Sequence, residues 1–108
     1  MNFDWKQLFE AAQKMQADAQ RLREGLADKR VEGDSGGGLV RCAVNGAGEV
    51  LALELDPSVA AADSPDKRKL LSDLIVGAVN VALDRSRELA RQEMGQLTGG
   101  FPLPPGVL

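Results

Sequence analysis

Trp5, Leu8, Ala12, Met15, Ala19, Leu22 and Leu26 follow one another at spacings of 3, 4, 3, 4, 3 and 4 residues. Apolar residues recurring on average every 3.5 positions form one narrow stripe along an α-helix, so the spacing predicts a first helix over about 3–28. At 1.5 Å per residue such a helix is about 39 Å long, more than a compact chain of this size needs. The stripe has the width of a coiled-coil seam, and Ala12 and Ala19 leave room for a partner helix to approach.

Beyond the seam the period changes from helical to extended. Val40, Cys42 and Val44 alternate with Leu39, Arg41 and Ala43; Leu51, Leu53 and Leu55 alternate with Val50, Ala52 and Glu54. Period 2 predicts two strands, and the intervening "NGAG" (Asn45 to Gly48) predicts a hairpin, because Asn and Gly tolerate positive φ. A further strand is expected around Val31, leading through "GDSGGG" into the hairpin, so that all strands lie within about 31–56. Val44 and Leu53 are expected to lie buried between the sheet and the helices. Asp56-Pro57 ends the last strand, since proline donates no ladder hydrogen bond. Ser64-Pro65-Asp66 reads as N-cap, first-position proline and first-turn acid, which starts a second long helix over about 65–97. Its root, Leu70 to Leu83, is apolar almost all round, while Asp84 to Gln96 is polar and is expected to project into solvent or onto the first helix. These elements make one domain over 1–98, followed by a Pro/Gly-rich tail, 99–108, that cannot be helical.

Composition removes most chemistry. The chain has no histidine and one cysteine, Cys42, so it assembles no zinc-type ligand set, no internal disulfide and no imidazole acid/base pair. Six glycines fall within residues 31–50. A phosphate-binding loop needs its glycines between a strand and a helix N-terminus; these precede a strand, with no following Lys-Ser/Thr. They are read as sheet turns. No catalytic residue, cofactor or metal is therefore expected. No run of about 18 apolar residues is present to span a membrane, and the polar opening "MNFDWKQLFEAAQ" lacks the apolar core of a signal peptide, which predicts a cytoplasmic protein. A core of Leu, Val and Ala with 4 % aromatics is small for independent stability, so self-association is expected.

The segment "VEGDSGGGLVRCAVNGAGEVLALELDP" resembles the central part of the YbaB/EbfC family of bacterial nucleoid-associated proteins, with its Val-x-Gly start, Gly-Leu-Val strand, Asn-Gly turn and closing Asp-Pro. "AQKMQ" (Ala12 to Gln16), "AVNVA" (Ala78 to Ala82) and "LPPG" (Leu103 to Gly106) agree in the same order, so the likeness runs through nearly the whole chain. The resemblance implies an α+β fold, an α-β-β-β-α protomer with a short antiparallel sheet and two long projecting helices. It also implies a sheet-mediated homodimer, double-stranded DNA as partner with loose sequence preference, and a nucleoid setting.

Net charge is −3, but the acid is concentrated centrally: residues 31–64 carry one Arg against six acids, whereas each flank carries six Lys/Arg against five acids. A DNA-binding protein without base-reading elements gains affinity from cations that neutralise phosphates. Lys14 and Arg21 lie one heptad apart on the outer face of the first helix, with Arg23, Lys29 and Arg30 near its distal end; Arg85, Arg87 and Arg91 cluster on the second helix. These eight are the candidate DNA contacts. Lys67-Arg68-Lys69 forms a further run where the helix dipole disfavours cations. The same charges also fit ordinary surface pairs: Glu10–Lys14, Asp18–Arg21, Asp84–Arg87 and Glu88–Arg91 stand at helical i,i+3 or i,i+4 spacing. An alternative reading keeps the dimer but makes it a coiled-coil adaptor for a DNA-repair or replication protein, with weak or no DNA binding.

Overall fold

The structure, a computed structural model, describes residues 4–97. In chain order it contains α1 (Trp5–Ala27), β1 (Arg30–Ser35), β2 (Val40–Asn45), β3 (Val50–Leu55), a one-turn α2 (Pro57–Ala60) and α3 (Pro65–Leu97). The fold is α+β, as expected. The tail 99–108 and the expected helix start at Phe3 lie outside the described residues.

Local chemistry sets the ends of these elements. The Asp4 carboxylate accepts from the amides of Lys6 (3.0 Å) and Gln7 (3.3 Å) and so caps α1. Ser64 Oγ accepts from Lys67 N at 3.2 Å at the start of α3. Asp56 ends β3 and also caps α2, accepting from Ser58 N at 2.9 Å. The connector after β3 thus begins with a helical turn that periodicity does not reveal.

The sheet is antiparallel in the order β1-β2-β3. Its register sets Ser35, Val40 and Leu55 in one row and Gly33, Cys42 and Leu53 in the next. These rows share the face on which α3 lies. Val40, Cys42 and Val44 are buried there with Ala78 and Ala82, and Leu71, Leu74, Ile75, Val79 and Leu83 pack around them. The two helix alanines bring α3 close to the strands, so close that a Cβ on Gly33 would stand 2.4 Å from Ala82 N. Ser35 Oγ donates to Leu74 O at 2.5 Å, which fixes the β1 side of the helix.

Leu53 departs from expectation. It shares a row with buried Cys42 but remains 42 % exposed. The reason is placement: α3 lies over β1 and β2, which leaves β3 beyond its edge. Leu51, Leu53 and Leu55 therefore form an open apolar shelf. With Leu74 marking the β1 flank of α3, helical geometry puts Ile75, Val79 and Leu83 on the flank above that shelf.

At the opposite end, Gly46 N donates to Leu26 O (2.8 Å) and Lys29 O (3.0 Å), tying the end of α1 to the β2–β3 turn. From there α1 runs antiparallel to the distal half of α3, meeting it along Leu22 and Leu26. Residues 4–17 are exposed throughout. The molecule measures 74 × 20 × 19 Å, with a radius of gyration of 19.9 Å. A compact chain of this length would have about 13 Å. The helices are arms.

Candidate nucleic-acid interface

The structure sorts the eight candidate cations by their surroundings. Arg21 is ion-paired with Asp18, Arg87 with Asp84 (2.7 Å) and Arg91 with Glu88 (2.5 Å), so three of the four helical pairs form. The Glu10–Lys14 pair does not, and Lys14 stands on the free half of α1 without an acidic partner among the described residues. Lys29 is engaged across the fold with Glu93, linking the α1–β1 junction to α3. Arg30 pairs with Glu32 at 3.2 Å, and Arg85 Nη1 donates to the Glu32 carbonyl at 2.6 Å.

Two groups of arginines converge. Arg23 from α1 and Arg87 from α3 line one cleft of about 460 Å³ beside the β2–β3 turn. Leu26, Leu83 and Ala90 form its apolar wall, and Gly46 to Gly48 its rim. Arg23 has no carboxylate partner among the described residues, so its charge at the cleft is not offset by an ion pair. The turn leaves this space open because it is tightly self-bonded: Asn45 Oδ1 accepts from Ala47 N (3.0 Å) and Glu49 N (2.9 Å). Gly48, at φ +83°, supplies the backbone reversal.

Arg85 and Arg41 line the second, smaller cleft, about 220 Å³, together with Glu32, Asp34 and Gly33. Arg41 was absent from the sequence-based candidates. Its signal was present: it is the single cation of the acidic segment 31–64, and it alternates outward from Val40 and Cys42. Here cations and carboxylates balance, which makes this a poorer place for a polyanion than the Arg23–Arg87 cleft.

The Lys67-Arg68-Lys69 run lies outside the eight candidates. Lys67 and Lys69 are held by Asp63 (3.0 Å) and Asp73 (3.2 Å) at the root of α3. All these pairs are solvent-exposed, where each contributes about 0–1 kcal/mol. Such cations exchange a carboxylate for a phosphate at little cost. Cys42 is buried, and burial pushes its thiol up from the ordinary value, so it is inert packing. Among the described residues no group of three His, Cys, Asp or Glu side chains could hold a metal ion, and no helix is long and apolar enough to cross a membrane.

Two long helices that carry the candidate cations project from a small antiparallel sheet. Residues 1–101 match the YbaB/EbfC DNA-binding family, and the chain belongs to that family. A nucleoid-associated protein of Desulfotalea psychrophila is 41 % identical over 101 residues, covering 94 % of this chain and 92 % of that one. One from Pelotomaculum thermopropionicum is 38 % identical, covering 96 % of each. The fold matches the crystal structure of an uncharacterized Helicobacter pylori protein with a TM-score of 0.77 at 23 % identity, over 91 % of this chain and 100 % of that one.

Proposed function

We propose that the protein binds double-stranded DNA without chemistry, as a homodimer in the cytoplasmic nucleoid, and that it holds the phosphate backbone with little regard to sequence. The observation that carries this reading is the convergence of Arg23 and Arg87 on one cleft between the two arms, with Arg23 lacking any described carboxylate partner. Lys14, Arg21, Lys29, Arg30, Arg85 and Arg91 extend the positive surface from that centre. Net charge of −3 does not oppose this, because the net negative charge lies in residues 31–64, with one Arg against six acids, while each flank is slightly basic.

The homodimer rests on the shelf of Leu51, Leu53 and Leu55, three exposed apolar side chains in one protomer. A second copy of the same shelf is the simplest self-complementary cover. In the dimer every arm cation occurs twice.

An electrophoretic shift with unrelated duplexes at two salt concentrations tests the proposal. Binding should weaken steeply with salt and similarly for each duplex. Absence of a shift at micromolar protein and low salt would refute it. The alternative, an adaptor for a DNA-repair or replication protein, draws support from the apolar residues exposed on the free half of α1; it predicts a dimer that never shifts DNA.

A further inference from the structure

The apolar seam of α1 is covered along only part of its length. Leu26 is buried and Leu22 half-buried where α1 lies against α3, whereas Leu8, Phe9, Ala12 and Met15 are exposed, Phe9 by 64 % and Met15 by 67 %. The stripe is continuous; α3 is what stops. Leu22 lies level with Glu93 and Gln96, so α1 outruns Leu97 by most of its N-terminal half. The chain that follows Leu97 therefore starts beside Asp18, at the beginning of the uncovered stretch. That following segment, "TGGFPLPPGVL", has no charged side chain and contains three of the five prolines.

We infer that residues 98–108 dock as an extended, polyproline-type strand along the apolar face of their own α1. The lengths agree. Eleven residues at 3.1 Å each reach about 34 Å, enough for the about 20 Å of helix from Asp18 to Trp5. In that arrangement Phe101 falls near Ala12, within a turn of Met15, and Leu103 falls near Leu8 and Phe9. Aromatic and thioether side chains pack favourably there, and Ala12 leaves the groove that a proline ring fills. Prolines restrict the free segment, so little entropy is lost when it docks. The apolar seam is then covered, and the arm turns outward the face that carries Lys6, Lys14 and Arg21.

Trp5, the only tryptophan, reports on this face directly. The 108-residue chain is compared with a chain ending at Leu97, by emission and by acrylamide quenching. Removal of 98–108 should shift the emission to the red and increase quenching while the helical circular dichroism of 4–97 persists. Ala12→Asp in the full chain, at an exposed helix position, should do the same. Ala12→Cys with Phe101→Cys should oxidise to a disulfide within one chain. Equal quenching in the full and shortened chains overturns the inference. So does protection that survives the shortening and disappears on dilution, which would mean that a second copy covers the face. A disulfide formed only between chains overturns it as well.

Discussion

A Cβ placed on Gly33 would lie 2.4 Å from the backbone nitrogen of Ala82 and 2.8 Å from its Cα. Glycine weakens a strand interior, so its presence in the middle of β1 requires a reason, and the reason is the α3 backbone directly above. Unlike a flexible side chain, that backbone cannot move aside. Gly33→Ala must separate α3 from the sheet and should cost about 3 kcal/mol, the upper part of the overpacking range. Gly25→Ala meets nothing within 4 Å in a helix and should gain up to about 1 kcal/mol. Urea denaturation of both variants measures the contrast; similar midpoints would mean that the helix does not sit where the structure puts it.

Val44 and Leu53 should respond oppositely to the same change. Val44 is fully buried, so Val44→Asp places an unpaired carboxylate in the core and should leave the chain unfolded. Leu53 opens onto solvent from the shelf in one protomer. Leu53→Asp should therefore keep the circular dichroism of the folded chain and abolish self-association in sedimentation equilibrium. A folded, still dimeric variant would place the dimer interface elsewhere.

Asp56 carries a pH signature. Hydrogen bonds from Ser58, through Oγ at 2.6 Å and N at 2.9 Å, hold its carboxyl below the usual carboxylate range. A depressed folded pKa contributes stability that is present above the unfolded value, about 3.9, and is lost as pH falls through the folded one. Asp56→Asn should flatten the acid limb of the stability profile in that window, by lowering stability at neutral pH and leaving it nearly unchanged below the window. An identical acid limb in parent and variant would assign the effect to other carboxylates.

What could be read from sequence was local. The Asp-Pro stop, the Ser64-Pro65 start and the 3–4 seam each depend on neighbours within a turn or two, and the structure has strands and helices where they point. The exposure of Leu53 depends on which strands a helix more than ten residues away lies over, which alternation along β3 does not encode. The Arg23–Arg87 cleft was legible only as two separate charges. Their meeting depends on Gly46 clasping Leu26 and on α1 folding back along α3, a tertiary relation without periodicity. Arg41 was passed over because it sits in an acidic segment, although a strand projects it outward beside Arg85.

The last prediction concerns where DNA affinity resides. No element of the described residues presents a row of side chains suited to base edges, so binding should scale with the cations near phosphates. Arg23→Ala with Arg87→Ala removes four charges from a dimer. At about 0.9 for each phosphate released, the slope of log K against log salt should flatten by as much as about 3.6. Helicity should persist, since both side chains are exposed. Lys67→Ala with Lys69→Ala also removes four charges, but at the root of α3, where Asp63 and Asp73 already hold them. That variant should change the slope much less. Filter binding on two unrelated duplexes over a salt series separates the two. Equal slopes for parent and cleft variant, with a collapse in the root variant, would move the contact surface to the base of α3. A loss confined to one duplex would reveal base readout instead of backbone attraction.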